Sequence, residues 1–208
     1  MAELKIYRRV VGMIQTNVYF ILNEETKELV IADPADDAYA LEADISSWGA
    51  KPVAIYLTHG HHDHIGAVNE LKEKYGIPVV AYETEKALLC DTKANLSAFY
   101  GPLTVEPDVL VKDGDKLDYA GFECTVIHTP GHTAGSCCFY FPENKILISG
   151  DTLFKCSYGR TDLPTGSFTD LENSVRRLLS ELPEDVTVCP GHMGFTTIEA
   201  EKRYNPLA

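Results

Sequence analysis

The segment LTHGHHDHIG, Leu57 to Gly66, contains four histidines and one aspartate within the six positions 59–64. It continues an apolar run that begins at Val53 and has the composition of a buried strand. His59, His61 and Asp63 recur at every second residue, so an extended loop would project them to one side. So many nitrogen and oxygen donors at the end of a buried strand predict a metal site.

Three further apolar strands each lead into a residue that can bind a metal ion. CTVIHTPG leads to His132, ILISG leads to Asp151, and VTVCPG leads to His192. Sites in α/β sheets gather outside the carboxyl ends of the strands, so we expect these ends to converge with that of the first strand. Glycine or proline near each end permits the sharp turn that presents the side chain.

Together these segments supply seven donor side chains: His59, His61, Asp63, His64, His132, Asp151 and His192. Zinc commonly takes four ligands, so seven donors suit two ions that share one carboxylate. Such a pair can lower the pKa of a water between the ions towards ~7 and so supply a hydroxide nucleophile. Zinc is the expected divalent metal, with iron or manganese as alternatives. His62, at a spacer position, and His128, on a strand, are not expected to be ligands.

The periodicity of apolar residues predicts layered sheets with helices outside them. Alternation in the first 31 residues predicts a hairpin or meander, and helical spacing follows in residues 41–48 and 65–75. Later strands are predicted at 122–127, 136–141, 146–149 and 186–189. Thr169 with Glu172 and Thr196 with Glu199 have the spacing of capping boxes that begin two helices. Residues 95–114 show no clear period and are the expected mobile loop region.

The composition limits the class of protein. The 208 residues, 45% of them hydrophobic, are enough for a single domain spanning 1–208. No segment has the length of a membrane span and no signal peptide is recognisable, so we expect a cytoplasmic protein that does not contact membranes. The net charge of −13 disfavours nucleic acid as a partner. A small-molecule substrate is the expected partner, and the oligomeric state is left open.

The six cysteines form no C-x-x-C pair. They are therefore predicted to be reduced and mostly buried thiols, outside any disulfide framework or thiolate zinc site.

The donor segments resemble those of the metallo-β-lactamase superfamily. Its first motif, H-x-H-x-D-H, is matched by His59, His61, Asp63 and His64. Similar segments continue along almost the whole chain: TNVYF at 16–20, IADP at 31–34, HTPGHTAGS at 128–136, SGDTLF at 149–154, GRTD at 159–162 and PGHMGFTTIEAEKRYNP at 190–206. In this order they most resemble the glyoxalase II-like branch, the hydroxyacylglutathione hydrolases.

The resemblance implies an α+β fold, a four-layer αββα sandwich with its site along one edge of the sheets. It also implies the ligands of two metals: His59, His61 and His132 for one, Asp63, His64 and His192 for the other, and Asp151 as the bridge. Asp63 and Asp151 are the candidate catalytic carboxylates. The implied activity is hydrolysis of thioesters such as S-2-hydroxyacyl thiols.

The chain departs from this pattern at several positions. Ala67, Ala35 and Met193 stand where glycine is common, and Met193 is expected to project near the metal pocket and narrow it. Full-length glyoxalase II enzymes carry an additional C-terminal helical region with basic residues for glutathione, which this chain is expected to lack. The resemblance therefore does not carry over the thiol carrier of the substrate.

Two other functions stay open. Persulfide dioxygenase is a related branch with a single iron and a GRTD-like segment, and a non-catalytic metal-binding sensor or scaffold can share the fold.

Arg160 and Asp162 are expected to pair with each other rather than to orient the ligands. Four aromatic residues are candidates for a substrate pocket, although such residues more often pack in a core: Tyr100, Phe154, Tyr158 and Phe195.

Overall fold

The computed structural model describes residues 3–208. The first sheet contains six strands: β1 (Leu4–Val11), β2 (Thr16–Asn23), β3 (Glu28–Ala32), β4 (Lys51–Tyr56), β5 (Val79–Tyr82) and β6 (Val109–Val111). They lie in chain order across the sheet. The pairs β1–β2 and β2–β3 are antiparallel, and β3 to β6 run parallel. The predicted opening meander is confirmed and continues into a parallel half-sheet.

The second sheet also has six strands: β7 (Lys116–Tyr119), β8 (Phe122–His128), β9 (Cys137–Phe141), β10 (Ile146–Gly150), β13 (Thr187–Pro190) and β14 (Thr196–Thr197). Their spatial order is β14-β13-β10-β9-β8-β7. Only β10 and β13 pair in parallel among these described strands. Two short strands, β11 (Leu153–Phe154) and β12 (Ser157–Tyr158), form a separate ribbon.

The helices are α1 (Ala38–Ser47), α2 (His62–Ile65), α3 (Val68–Tyr75), α4 (Lys86–Leu89), α5 (Phe168–Glu181) and α6 (Ile198–Tyr204). Both predicted capping boxes were misplaced. Ser167 caps α5 by accepting from the Asp170 amide, and Thr197 caps α6 by accepting from the Ala200 amide. Each true cap has the extended backbone that a capping residue requires.

Three buried apolar layers separate the elements. The first joins the outer face of the first sheet to α1 and α3, the second lies between the two sheets, and the third joins the second sheet to α5 and α6. β2 shows how one strand serves two layers, because Phe20 faces the helices while Tyr19 and Ile21 face the other sheet. The predicted four-layer αββα sandwich is confirmed.

The stretch 95–114 is held by polar contacts as well as by Val105 and Val111, which are buried in the core. It contains a 3₁₀ turn, Ser97–Phe99, and strand β6. Asn95 is buried, and its amide donates to the carbonyls of Leu89 and Leu103. The few buried apolar residues of this stretch are irregularly spaced, so the sequence shows no apolar period there.

The predicted state of the cysteines agrees with the structure, in which all six are free and four are buried: Cys124, Cys137, Cys138 and Cys189. Within residues 3–208, no helix has the length and apolar character needed to cross a membrane.

Candidate metal centre

The four predicted strand ends meet at one edge of the sandwich. Strand β4 of the first sheet leads to His59, and β8, β10 and β13 of the second lead to His132, Asp151 and His192. The ends are joined directly: the Gly191 amide donates to the Gly150 carbonyl at 2.8 Å, and the Cys137 amide donates to the Thr58 carbonyl at 2.9 Å. The convergence expected from the sequence is confirmed.

His59, His61 and His132 form a first cluster of donors. One ring nitrogen from each lies within 4.8 Å of the others. Nδ1 of His61 is 2.9 Å from Nε2 of His132. Ligand atoms about 2.1 Å from a tetrahedral ion stand about 3.4 Å apart, so three ring nitrogens within 4.8 Å of one another are close enough to share one ion. All three residues are buried.

Asp63, His64 and His192 form a second cluster, again with donor atoms within 4.8 Å of one another. Nε2 of His192 lies 3.4 Å from both Nε2 of His64 and Oδ2 of Asp63. Nε2 of His64 lies 3.7 Å from the same carboxylate oxygen. These separations also match those of ligands around one ion.

Asp151 lies between the two clusters. Its Oδ2 is 3.6 Å from Nε2 of His132 in the first cluster and 3.4 Å from Nε2 of His192 in the second. Its Oδ1 is 3.4 Å from Nε2 of His64. One carboxylate therefore contacts both clusters, which is the geometry of a shared ligand.

Three buried polar atoms of these clusters make no hydrogen bond: Nε2 of His59, Nε2 of His61 and Oδ1 of Asp151. A buried polar atom left without a partner usually costs about 1–3 kcal/mol, so such atoms need an explanation. Two imidazoles and a carboxylate with free lone pairs are what divalent transition metals bind. The donor set fits a pair of such ions.

The rings are oriented by partners on their outer sides. Nδ1 of His132 donates to the Arg160 carbonyl at 2.7 Å. Nδ1 of His64 donates to Oδ2 of Asp33 at 3.0 Å, and Nδ1 of His59 contacts the Thr58 hydroxyl at 3.2 Å. In each case Nε2 is left for the site, and outer partners of this kind fix the tautomer of a metal-binding histidine. Asp33, His59 and His64 also form a geometrically possible metal group, but Nδ1 of His64 is already engaged by Asp33.

The electrostatics differ between the clusters. Burial, followed by the neighbouring His132 ring, lowers the pKa of His61 to about 3, and burial lowers that of His59 well below its usual range. Both rings are therefore neutral at neutral pH, as metal binding requires. Burial alone would also lower the pKa of His192, but the carboxylates of Asp151 and Asp63 raise it to about 9. The second cluster thus strongly favours positive charge.

Burial tends to raise the pKa of Asp63 and of Asp151, but the charges and hydrogen bonds of His64 and His192 outweigh it and lower both. Both carboxylates are ionised at neutral pH and can act as ligands or proton acceptors.

The loop that carries His192 is anchored by the first sheet. The Asn17 amide donates to the carbonyls of Pro190 and Met193, and the Tyr19 hydroxyl donates to the Pro190 carbonyl. Glycine is required at position 191, where a Cβ would lie 2.2 Å from Oδ1 of Asp151. The TNVYF segment therefore holds a predicted ligand in place, a role that sequence analysis did not assign.

Glu85 joins two donor loops from behind. Its buried carboxylate accepts from the Gly60 amide at 2.8 Å, the Gly135 amide at 2.9 Å and the Thr133 hydroxyl. Burial outweighs these three donors and raises the pKa of Glu85 to about 7. Sequence analysis missed this residue because nothing in its neighbourhood along the chain marks it as special.

The clusters open into a cavity of about 830 Å³, within the size range of small-molecule sites. Of the four aromatic candidates, Tyr100, Phe154 and Tyr158 line it. Phe195 instead packs against Tyr19 and beneath the Arg8 guanidinium.

The expected pairing of two charged residues near the cavity agrees with the structure. Arg160 and Asp162 pair with each other at 2.7 Å, so Arg160 contacts His132 through its carbonyl rather than its guanidinium. His62 stacks on Tyr100 and His128 stacks on Tyr82, outside both clusters.

Residues 11–192 match the profile of the metallo-beta-lactamase superfamily. The chain belongs to this superfamily. Among curated members, it is 37% identical to the probable metallo-hydrolase YqgX of Bacillus subtilis, over 98% of this chain and 97% of that protein. It is 34% identical to the hydroxyacylglutathione hydrolase GloC of Haemophilus influenzae, over 95% of this chain and 94% of that one.

Solved structures of this superfamily agree with the fold. The BLEG-1 B3 metallo-beta-lactamase superposes with a TM-score of 0.92 at 39% identity, covering 97% of this chain and 98% of that one. TTHA1623, solved in a di-iron-bound form, gives a TM-score of 0.85 at 35% identity, covering 97% and 100%.

Proposed function

We propose that the protein is a dinuclear metal-dependent hydrolase of thioesters such as S-2-hydroxyacyl thiols. The observation that carries this proposal is the position of Asp151, whose carboxylate contacts donors of both clusters. A single ion would need only one cluster. The hydroxyacyl thioester as substrate is supported by the similarity to GloC over nearly the whole chain.

In this proposal the first metal is held by His59, His61 and His132, the second by Asp63, His64 and His192, and Asp151 is shared. Zinc is the expected metal, and iron and manganese accept the same donors. The di-iron form of TTHA1623 supports iron as an alternative.

When bound, the ion pair supplies a Lewis acid for the substrate carbonyl and lowers the pKa of a water to near ~7. The residues of the chain would hold the ions and orient the reacting groups. The Thr16 hydroxyl lies 3.3 Å from Oδ2 of Asp63 and donates to it, which would orient this carboxylate towards the second cluster. The buried imidazoles of His59, His61 and His132 exclude bulk water from one side of the site.

The test is metal analysis of protein purified without chelator, combined with turnover of S-lactoyl thioesters. We expect about two metal ions per chain and release of thiol that stops when the metals are removed. About one iron per chain, with oxygen consumed on a persulfide substrate, would replace the proposal with the dioxygenase alternative. Full metal content without turnover of any carbonyl substrate would favour a sensor or scaffold.

A second candidate function is hydrolysis of the β-lactam amide. It is favoured by the 39% identity to BLEG-1, which is named a B3 metallo-beta-lactamase. The same metal-dependent attack on a carbonyl would serve both substrates. A chromogenic cephalosporin assayed beside the thioesters distinguishes the two by their kcat/KM values.

A further inference from the structure

The cavity over the metal centre has an apolar rim. We define this apolar rim as Ile14, Leu96, Phe99, Tyr100 and Met193, all of which line the cavity. Four of these side chains are exposed to solvent: Ile14 by 47%, Met193 by 58%, Tyr100 by 70% and Phe99 by 79%. Large apolar side chains clustered in solvent around a concave site usually mark a binding surface.

Two members of the apolar rim have a backbone conformation that bulky residues rarely adopt. Leu96 has φ of 69° and Met193 has φ of 68°. Of the ten non-glycine residues with positive φ in 3–208, these are the two with large apolar side chains, and both face the same cavity. The left-handed region is disfavoured for such side chains and tends to persist where function requires it.

The backbone around Met193 is fixed in this conformation. The Met193 carbonyl accepts from the Arg8 guanidinium at 3.1 Å and from the Asn17 amide at 3.0 Å. Glycine would adopt the same φ without strain, so the chain retains a large apolar side chain at the mouth of the site against its local backbone preference. The predicted projection of Met193 towards the metal pocket agrees with the structure.

Outside the two donor clusters, the lining of the cavity offers little to an anionic group of a substrate. Among the described residues that line it, Arg160 is the one Lys or Arg side chain, and Asp162 engages its guanidinium through two bonds of 2.7 Å. An adjoining cavity of about 760 Å³ shares Ile14, Tyr100 and Asp63, and its described lining includes Asp36 but no Lys or Arg. Away from the two donor clusters, the carboxylates or phosphates of a carrier thiol would therefore meet Asp36 and no free Lys or Arg side chain of the lining.

We infer that this hydrolase takes thioesters that carry an uncharged, apolar alkyl or aryl substituent, which packs on the apolar rim, rather than an anionic carrier such as glutathione. The inference rests on the proposed thioester hydrolysis and names its substrate class. The substituent can belong to the acyl group or to the thiol, since the same rim receives either one. Attack on the thioester carbonyl is unchanged: water adds to the carbon, and the carbon–sulfur bond breaks to release acid and thiol.

The experiment compares kcat/KM of the metal-loaded enzyme for four thioesters. Lactoyl esters of glutathione, N-acetylcysteamine and hexanethiol vary the thiol, and octanoyl-N-acetylcysteamine varies the acyl group. We expect the hexanethiol or the octanoyl ester to exceed the glutathione ester by about tenfold or more, because burial of methylene groups favours binding. The ester with the higher kcat/KM of these two identifies whether the thiol or the acyl group packs on the apolar rim. A glutathione ester that equals or exceeds both would overturn the inference.

Variants test whether the apolar rim causes the preference. Phe99→Ser and Met193→Gly should each lower the ratio of apolar to glutathione ester by about threefold or more. Met193→Gly relieves the positive φ and should unfold at no lower temperature than the wild type, which separates a binding effect from misfolding. Tyr39→Ser is the matched control, because Tyr39 is 83% exposed but lines neither cavity, and it should keep the wild-type ratio. Unchanged ratios in both rim variants would refute the assignment.

A binding measurement keeps this inference separate from the proposed function. Non-hydrolysable thioethers, S-hexyl-N-acetylcysteamine and S-methylglutathione, are titrated into the metal-loaded protein by calorimetry. Tighter binding of the hexyl compound that Phe99→Ser weakens supports the inference. It does so even if no thioester is hydrolysed, and in that case only the proposed function fails. Tighter binding of the glutathione compound contradicts the inference whatever the activity.

Discussion

Oδ2 of Asp33 lies 3.0 Å from Nδ1 of His64 and also accepts from the Thr58 hydroxyl at 2.6 Å. That hydroxyl in turn contacts Nδ1 of His59 at 3.2 Å. A single buried carboxylate therefore orients one predicted ligand from each cluster. Its other oxygen accepts from the Thr58 amide at 2.8 Å, which fixes the carboxylate itself.

Asp33→Asn should weaken metal binding by about 10- to 100-fold, because the amide places a donor where His64 or Thr58 needs an acceptor. Competition with a chromogenic chelator measures the affinity. Asp185→Asn is the control, since Asp185 is exposed and pairs only with Lys145 among the described ion pairs. Equal affinities in the two variants would show that Asp33 does not support the ligands.

Replacing Asp151 with alanine should lower the occupancy of both metals, because this carboxylate contacts both clusters. Asp63→Ala should lower occupancy by only about one equivalent, since Asp63 belongs to the second cluster alone. Elemental analysis after gel filtration measures both variants. If Asp151→Ala retained about two ions and full turnover, the bridging role would be wrong.

His62→Ala and His128→Gln should each keep about two metal ions, because neither ring lies in a donor cluster. His62 stacks on Tyr100 at 4.1 Å, and His128 stacks on Tyr82 and contacts the Ala134 carbonyl. The same elemental analysis applies. Loss of one equivalent in either variant would require a new set of ligands.

Glu85→Gln should change how stability depends on pH. Burial raises the pKa of folded Glu85 from 4.5 to about 7. Between these values the folded state holds a proton that the unfolded state has lost, so this contribution to stability falls as pH rises and is fully lost above about pH 7. The variant has no such group. The unfolding free energy of the wild type minus that of the variant should therefore decrease by a few kcal/mol from pH 5 to pH 8.

Urea unfolding at several pH values, at one fixed metal concentration, measures this difference. Glu143→Gln, at an exposed position, serves as the control and should run parallel to the wild type. A constant difference between wild type and Glu85→Gln would mean that Glu85 stays ionised in the fold.

The sequence alone predicted the donor side chains, and it placed them at strand ends that the structure brings to one edge of the fold. His59, His61, Asp63 and His64 are adjacent in the chain, and apolar strands end just before His132, Asp151 and His192. Strand ends are local features, and parallel strands bring their carboxyl ends to the same edge. The four-layer order followed from the resemblance, and the three apolar layers account for it physically.

Only the tertiary structure decided which groups support those donors. Glu85 and Asn17 act on loops that lie 25 or more residues away in the chain, through bonds to backbone amides and carbonyls. Backbone groups look alike at every position, so no pattern in the sequence marks these pairings. The left-handed backbone of Met193 is likewise held by hydrogen bonds from the distant residues Arg8 and Asn17, which override local preference.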